Sequence, residues 1–180
     1  RSLKDEYLKL GHDVYGLSRT RVTDCNHVIL DLNMLSFEHY GRRLTNLLNG
    51  ETNLDLVILN AGILGKIKTF DNFSMTELDE IMNTNVFSNK LILDNLFRMG
   101  VNVKQVVCIS VAPGLVGTGM QDYLCSEVDV NDFPETKKFI ESSTNGTTRQ
   151  PDDVAVDIIR LVSNLPKMES GGYIDLRNSK

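Results

Sequence analysis

The sequence has no tryptophan, four prolines, three histidines and three cysteines, and each shortage excludes something. Cys25, Cys108 and Cys125 are odd in number, form no Cys-x-x-Cys pair and have no histidine cluster beside them. That argues against a disulfide framework and against a metal site, and fits a reducing, cytoplasmic setting. No apolar run approaches the ~20 residues a membrane helix needs, and the first residues lack a signal-peptide pattern. A net charge of −5 leaves no general basic face, so neither nucleic acid nor an anionic membrane is an expected partner. Low-complexity stretches, internal repeats and obvious linkers are missing too. What is present is an ordinary globular balance, 41% hydrophobic and 24% charged over 180 residues. That is enough chain to bury a real core, and residues 1–180 read as a single domain.

The patterning alternates. Leu3, Tyr7 and Leu10 are at helical spacing before Gly11, although this helix has no capping residue or strand ahead of it. Val14–Leu17 and Val28–Leu30 are short apolar runs of the parallel-strand kind. Phe37, Tyr40, Leu44, Leu47 and Leu48 form a helical stripe closed by Gly50. Leu54–Leu59 reads as the clearest buried strand, ending in Asn60-Ala61-Gly62. Ser74, with Glu77 three residues on, opens a long helix through a capping box. Leu78, Ile81, Met82, Val86, Leu93 and Phe97 are its expected buried side. A strand follows at 106–109. Another helix starts at Pro151 and buries Val154, Ile158, Leu161, Val162 and Leu165. Gly171-Gly172 precedes a last strand at Tyr173–Leu176. Strands alternating with amphipathic helices predict an α/β fold: a doubly wound, Rossmann-like parallel sheet in three α/β/α layers.

One junction breaks the pattern. In VVCISVAPGLVGTGM, residues 106–120, one strand ends at Ile109 while Val111-Ala112-Pro113-Gly114 reads as the end of another. Adjacent parallel strands need a crossover of a dozen or more residues, usually helical. Between Ser110 and Val111 there is none, and the turn chemistry for a hairpin is absent. The expectation is that a strand-to-helix connection is missing there, and that a first strand and its turn precede Arg1.

Three motifs in order, LVILNAG at 56–62, NTNVFSN at 83–89 and VAPGLVGTGM at 111–120, resemble the short-chain dehydrogenase/reductase family. The sepiapterin- and benzil-reductase-like carbonyl reductases are the most similar branch. The resemblance covers nearly the whole chain and implies NAD(P)H-dependent oxidoreduction on a Rossmann-like sheet. It implies that Asn60, Ala61 and Gly62 lie beside the adenine ribose, where a strand ending in small residues lets a cofactor approach the backbone. A strand merely ending in turn residues is the other reading. Ser18-Arg19 stands where an NAD-binding relative would place Asp or Glu against the ribose 2′-hydroxyl. A guanidinium there can pair with a 2′-phosphate, with Arg21 as a possible assistant, so NADPH is expected over NAD. The competing reading is a solvated surface arginine. Asp31 and Leu32 match the position that meets the adenine edge, against a plain Asx turn. Pro113, Gly114 and Thr118 match the loop that backs the nicotinamide, the threonine bonding its carboxamide, against a structural turn. Asn85, chosen over Asn83 and Asn89 by its TNVFS context, matches the catalytic asparagine that holds a water in a proton relay. Its alternative is an exposed or locally bonded polar residue. Ser110 either ends one strand beside the catalytic serine or begins the next. Residues 119–146 match a substrate lid, with Met120, Tyr123 and Phe133 as substrate contacts or as small-helix core.

The family's proton donor is a tyrosine with lysine four residues on. None of Tyr7, Tyr15, Tyr40, Tyr123 and Tyr173 has lysine at that spacing. The resemblance puts that pair at the Ser110 junction and its Gly-rich turn before Arg1. The expected function is NADPH-dependent reduction of a ketone, aldehyde or diketone, by a homodimer or homotetramer paired through the long helix. The competing expectations are a catalytically inactive nucleotide-binding regulator and an α/β interaction module that binds no nucleotide.

Overall fold

The structure is a computed structural model that describes residues 2–105, 110–164 and 173–177. In chain order the elements are α1 (Ser2–Lys9), β1 (Tyr15–Ser18), β2 (Asn26–Ile29), α2 (Phe37–Leu48) and β3 (Asn53–Leu54). There follow α3 (Met75–Met82), a π-helical turn (Asn83–Phe87), α4 (Ser88–Arg98), β4 (Asn102–Val103) and β5 (Ser110–Ala112). The last are α5 (Gly119–Ser126), α6 (Lys137–Thr144), α7 (Pro151–Asn164) and β6 (Tyr173–Asp175). The expected strand at 106–109, Leu165 and Gly171-Gly172 lie outside the described residues. Contacts divide the chain into a central unit, Gly11–Val106, and a terminal unit of Arg1–Leu10 with Val107–Lys180.

In the central unit β1 pairs with β2 in parallel, Tyr15 opposite Asn26 through Ser18 opposite Ile29. β3 pairs in parallel with β4. The helix expected at 36–49 forms because Ser36 caps it, accepting from the His39 amide. It stops because Asn49 adopts a left-handed conformation, φ 47°, one residue before the expected Gly50. Its apolar stripe, Tyr40, Leu44, Leu47 and Leu48, joins Leu30, Leu32, Ile92, Leu96 and Val101 in the buried core. Full burial of such side chains contributes roughly 1.5–3 kcal/mol each.

Two expectations change here. The run at 54–59 is a strand only at its start, where β3 ends at Leu54, and it is not buried on both faces: Leu54, Val57 and Leu59 pack against the core, while Ile58 is 41% exposed. α2 and α4 cover one side of this chain segment, and a parallel strand reads as continuously apolar only when both faces are covered. The long helix buries only part of its expected side, Leu78, Ile81 and Leu93 being half-buried. Its capping box is present, with Ser74 Oγ accepting from the Glu77 amide and the Glu77 carboxylate accepting from the Ser74 amide. Beyond it, Ser88, Ile92, Asn95 and Leu96 are buried, whereas Met82, Val86 and Phe97 are exposed. Small and polar residues take the inner face because α2 comes close: a Cβ on Gly41 would stand 2.8 Å from Asn95 Oδ1. Asn95 can be buried there because its amide donates to the Leu91 carbonyl at 2.9 Å.

In the terminal unit α1 packs on α7, α5 on α6, and β5 pairs in parallel with β6. α7 begins at Pro151 as expected and buries Val154 and Ala155, with Ile158, Leu161 and Val162 half-buried. β5 runs unbroken across the Ser110–Val111 junction, Ser110 facing Tyr173 and Val111 facing Ile174. Ser110 is the first described residue of this strand, residues 106–109 before it lying outside the described residues.

Candidate functional site

In parallel α/β units, ligands bind at the carboxyl ends of the strands. β1 ends at Ser18, whose hydroxyl donates to the Thr20 carbonyl at 2.7 Å and is 2.9 Å from His27 Nε2. The bend so closed carries Arg19, which is exposed and, among the described residues, makes no hydrogen bond or ion pair. Arg21 is exposed as well. Past β2, Asp31 Oδ1 accepts from the Asn33 amide at 3.1 Å, an Asx turn that leaves Oδ2 outside that bond. The Leu32 carbonyl accepts from the Tyr40 hydroxyl at 2.9 Å. Tyr40 is fully buried, and burial, seconded by the Asp31 charge, pushes its phenol up to about 12.

The π turn organises the remaining loops of this unit. Its diagnostic bond runs from the Ser88 amide to the Asn83 carbonyl, five residues back. Asn83 donates to Asn33 Oδ1 at 3.2 Å and so reaches the loop after β2. Asn85 accepts from the Ile63 amide at 2.8 Å and donates to the Ile63 carbonyl at 2.9 Å, acting as one more strand residue against the segment after Asn60-Ala61-Gly62. Asn89 donates to the Asn85 carbonyl at 3.0 Å. All three asparagines that competed in sequence are used, each differently. Asn60, Ala61 and Gly62 are themselves exposed. A Cβ on Gly62 would meet Asn85 Oδ1 at 3.5 Å, an ordinary contact, so sterics alone do not demand glycine.

In the terminal unit, the loop 113–118 follows β5. Gly114 has φ +82°, a region side chains rarely adopt. Arg149 holds this loop from three directions. Its guanidinium donates to the Pro113 carbonyl at 3.4 Å and pairs with Asp157 at 2.5 Å. Its amide donates to the Leu115 carbonyl at 2.8 Å, and its carbonyl accepts from the Gly117 amide at 3.0 Å. Thr118 is the residue before α5, exposed and with its side chain not engaged in capping. In the lid region Met120 is exposed, and Tyr123 and Phe133 are half-buried. Gln121 is buried instead, donating to Thr148 Oγ1 at 3.0 Å.

The structure thus ties the segments that follow Asp31-Leu32 and Asn60-Ala61-Gly62 to one turn of helix in the central unit, through Asn33 and Ile63. Pro113, Gly114 and Thr118 share one loop in the terminal unit. The supporting roles of His27, Tyr40 and Arg149 were missed in sequence, and Asn83 was passed over for Asn85. A buried tyrosine eight residues past a strand-end Leu, and an arginine ahead of Gln-Pro at a helix start, were the only signals. A shallow depression lined by Tyr15, Asn26, Leu48, Asn49 and Glu51 lies at the opposite, amino ends of β1 and β2. No cluster of three or more histidine, cysteine or acidic side chains suited to a metal occurs among the described residues, and no helix among them is long and apolar enough to cross a membrane.

No protein-family model matches the sequence, and neither does any curated protein. Solved structures do match. A short-chain dehydrogenase/reductase from Saccharomyces cerevisiae superimposes with a TM-score of 0.75 at 18% identity, over 97% of this chain and 90% of that one. Aldohexose dehydrogenase from Thermoplasma acidophilum gives 0.75 at 14% identity, over 98% and 87%. ElxO, solved with NADPH bound, gives 0.61 at 15% identity, over 97% and 90%. This is the short-chain dehydrogenase/reductase fold. It is a Rossmann-like α/β arrangement.

Proposed function

We propose that the protein is an oxidoreductase of the short-chain dehydrogenase/reductase type that binds NADPH and reduces the carbonyl of a small ketone, aldehyde or diketone. The observation that carries the reading is the arrangement of the central unit. Two strand-end loops are pinned to one π turn, beside a third strand end that presents an unpaired arginine. The donor set fits a dinucleotide with a 2′-phosphate. Arg19 offers a bidentate cation with no competing partner among the described residues, and β1 ends without the carboxylate a 2′-hydroxyl would call for. Asp31 and the Leu32 backbone would take the adenine, and Asn60, Ala61 and Gly62 its ribose. Pro113, Gly114 and Thr118 would hold the nicotinamide end. NADPH, when bound, supplies the hydride. Met120, Tyr123 and Phe133 would shape the substrate end of the lid. Asn85, its side chain committed to Ile63, would act by fixing the loop it holds. The same reading takes the protein to be cytoplasmic. It also pairs copies through the long helix, where Met82, Val86 and Phe87 are exposed.

A second reading rests on a specific observation. No tyrosine of the sequence has lysine at +4. A positioned general acid contributes ~10²–10⁴-fold, so a chain without one could bind dinucleotide as a regulator without turning over. Fluorescence titration with NADPH, followed by NADPH oxidation against a panel of aldehydes, ketones and diketones, separates the readings. Saturable binding with carbonyl-dependent oxidation is expected. Binding without oxidation would favour the regulator, and no binding would overturn both.

A further inference from the structure

Arg19 can select a 2′-phosphate only if its backbone is held in place, because a free arginine at the end of an edge segment loses most of its pairing energy to side-chain and backbone entropy. The hold comes from across the strand pair. Gly16 faces His27 in the β1–β2 register. A Cβ on Gly16 would lie 3.1 Å from His27 Cδ2 and 3.5 Å from Cys25 Sγ, so the missing side chain is what lets the imidazole lie against β1. Ser18 is two residues along and on the same face as Gly16, and its oxygen is 2.9 Å from His27 Nε2. The serine has one proton, and it goes to the Thr20 carbonyl at 2.7 Å. His27 Nε2 is therefore the donor to Ser18 Oγ. The chain of contacts runs Gly16, His27, Ser18, Thr20, and the residue enclosed by the last link is Arg19.

We propose that His27 is a positioning residue for dinucleotide selection: through Ser18 it sets the 18–20 bend that presents Arg19, and Gly16 is the space that makes this possible. The inference rests on the NADPH reading above and deepens it, since it assigns specificity to side chains that would touch neither phosphate nor ribose. It places the determinant on the neighbouring strand, nine residues from the bend it controls.

The test measures Kd for NADPH and for NADH on the full chain. The variants are His27→Phe, which removes the donor, His27→Gln, whose amide keeps one, and Ser18→Ala, which removes the acceptor. The wild type is expected to prefer NADPH. His27→Phe is expected to lower that preference about tenfold while leaving the NADH Kd within twofold, Ser18→Ala to lower the preference at least as far, and His27→Gln to restore most of it. Retention of NADH binding shows that the fold is intact. Should His27→Phe lose both dinucleotides by unfolding, Ser18→Ala, a single-atom deletion, decides. A preference unchanged in Ser18→Ala and His27→Phe, or a wild type without preference, overturns the inference and leaves dinucleotide binding standing. A wild type that binds neither dinucleotide overturns the functional reading, and this inference falls with it.

Discussion

Two loop systems in this molecule are held by different chemistry. In the central unit the loops after β2 and after the third strand are pinned by neutral groups: the Asn83 and Asn85 amides and the Tyr40 hydroxyl. In the terminal unit the loop 113–118 is pinned by a guanidinium paired with a carboxylate, Arg149 with Asp157. Neutral hydrogen bonds are directional and indifferent to salt. An ion pair left about one-third exposed is screened and shared with water. The same task, fixing a strand-end loop against a helix, is thus done rigidly in one unit and tunably in the other.

The comparison can be broken at its strongest point first. Asn85→Leu removes both bonds to Ile63 and leaves that backbone amide and carbonyl without their partner. Chemical denaturation is expected to show a loss of about 2–3 kcal/mol, the same at low and at high salt. Tyr40→Phe deletes one buried bond, to Leu32, and is expected to cost about 1–2 kcal/mol at neutral pH. It carries a pH signature as well. The folded-state phenol is raised to about 12 from an ordinary 10, mainly by burial. Its contribution is therefore complete below pH 10 and is lost as pH rises toward 12. Stability should fall across that window in the wild type and fall less in Tyr40→Phe, and equal slopes would contradict the assignment. Arg149→Met is expected to have the smallest effect, about 1 kcal/mol, and its penalty should shrink at 1 M salt while that of Asn85→Leu does not. If both penalties respond to salt alike, the contrast between the two units is wrong.

Much of the fold was legible because it rests on local signals. The Ser74–Glu77 capping box and Pro151 at a helix start each state their meaning within four residues. The α2 stripe was read correctly, since a helix lying on a sheet buries one continuous face. The face of the long helix was misread in part, for the converse reason. Met82, Val86 and Phe97 are large apolar residues, but the inner face is set by how near α2 comes, with Asn95 against Gly41. Periodicity reports hydrophobicity and says nothing about interhelical distance. The candidate site divides in the same way. Residues at strand ends, from Ser18-Arg19 to Pro113-Gly114, could be found by position. Their supports could not, because His27, Tyr40, Asn83 and Arg149 act from 8 to 50 residues away in sequence, at distances only the fold sets.

The π turn has a mechanical consequence. A helix advances about 100° per residue, and the wide turn at Asn83–Phe87 accommodates one residue more than an α-helical turn would. It therefore absorbs that residue locally, and α3 and α4 keep nearly the phase they would share without it. Removing a single residue from it would return the helix to regular winding with Ser88, Ile92, Asn95 and Leu96 still toward α2, while Asn83 and Asn85 would lose the spacing that reaches two loops. The core does not need the extra residue; the two loops do.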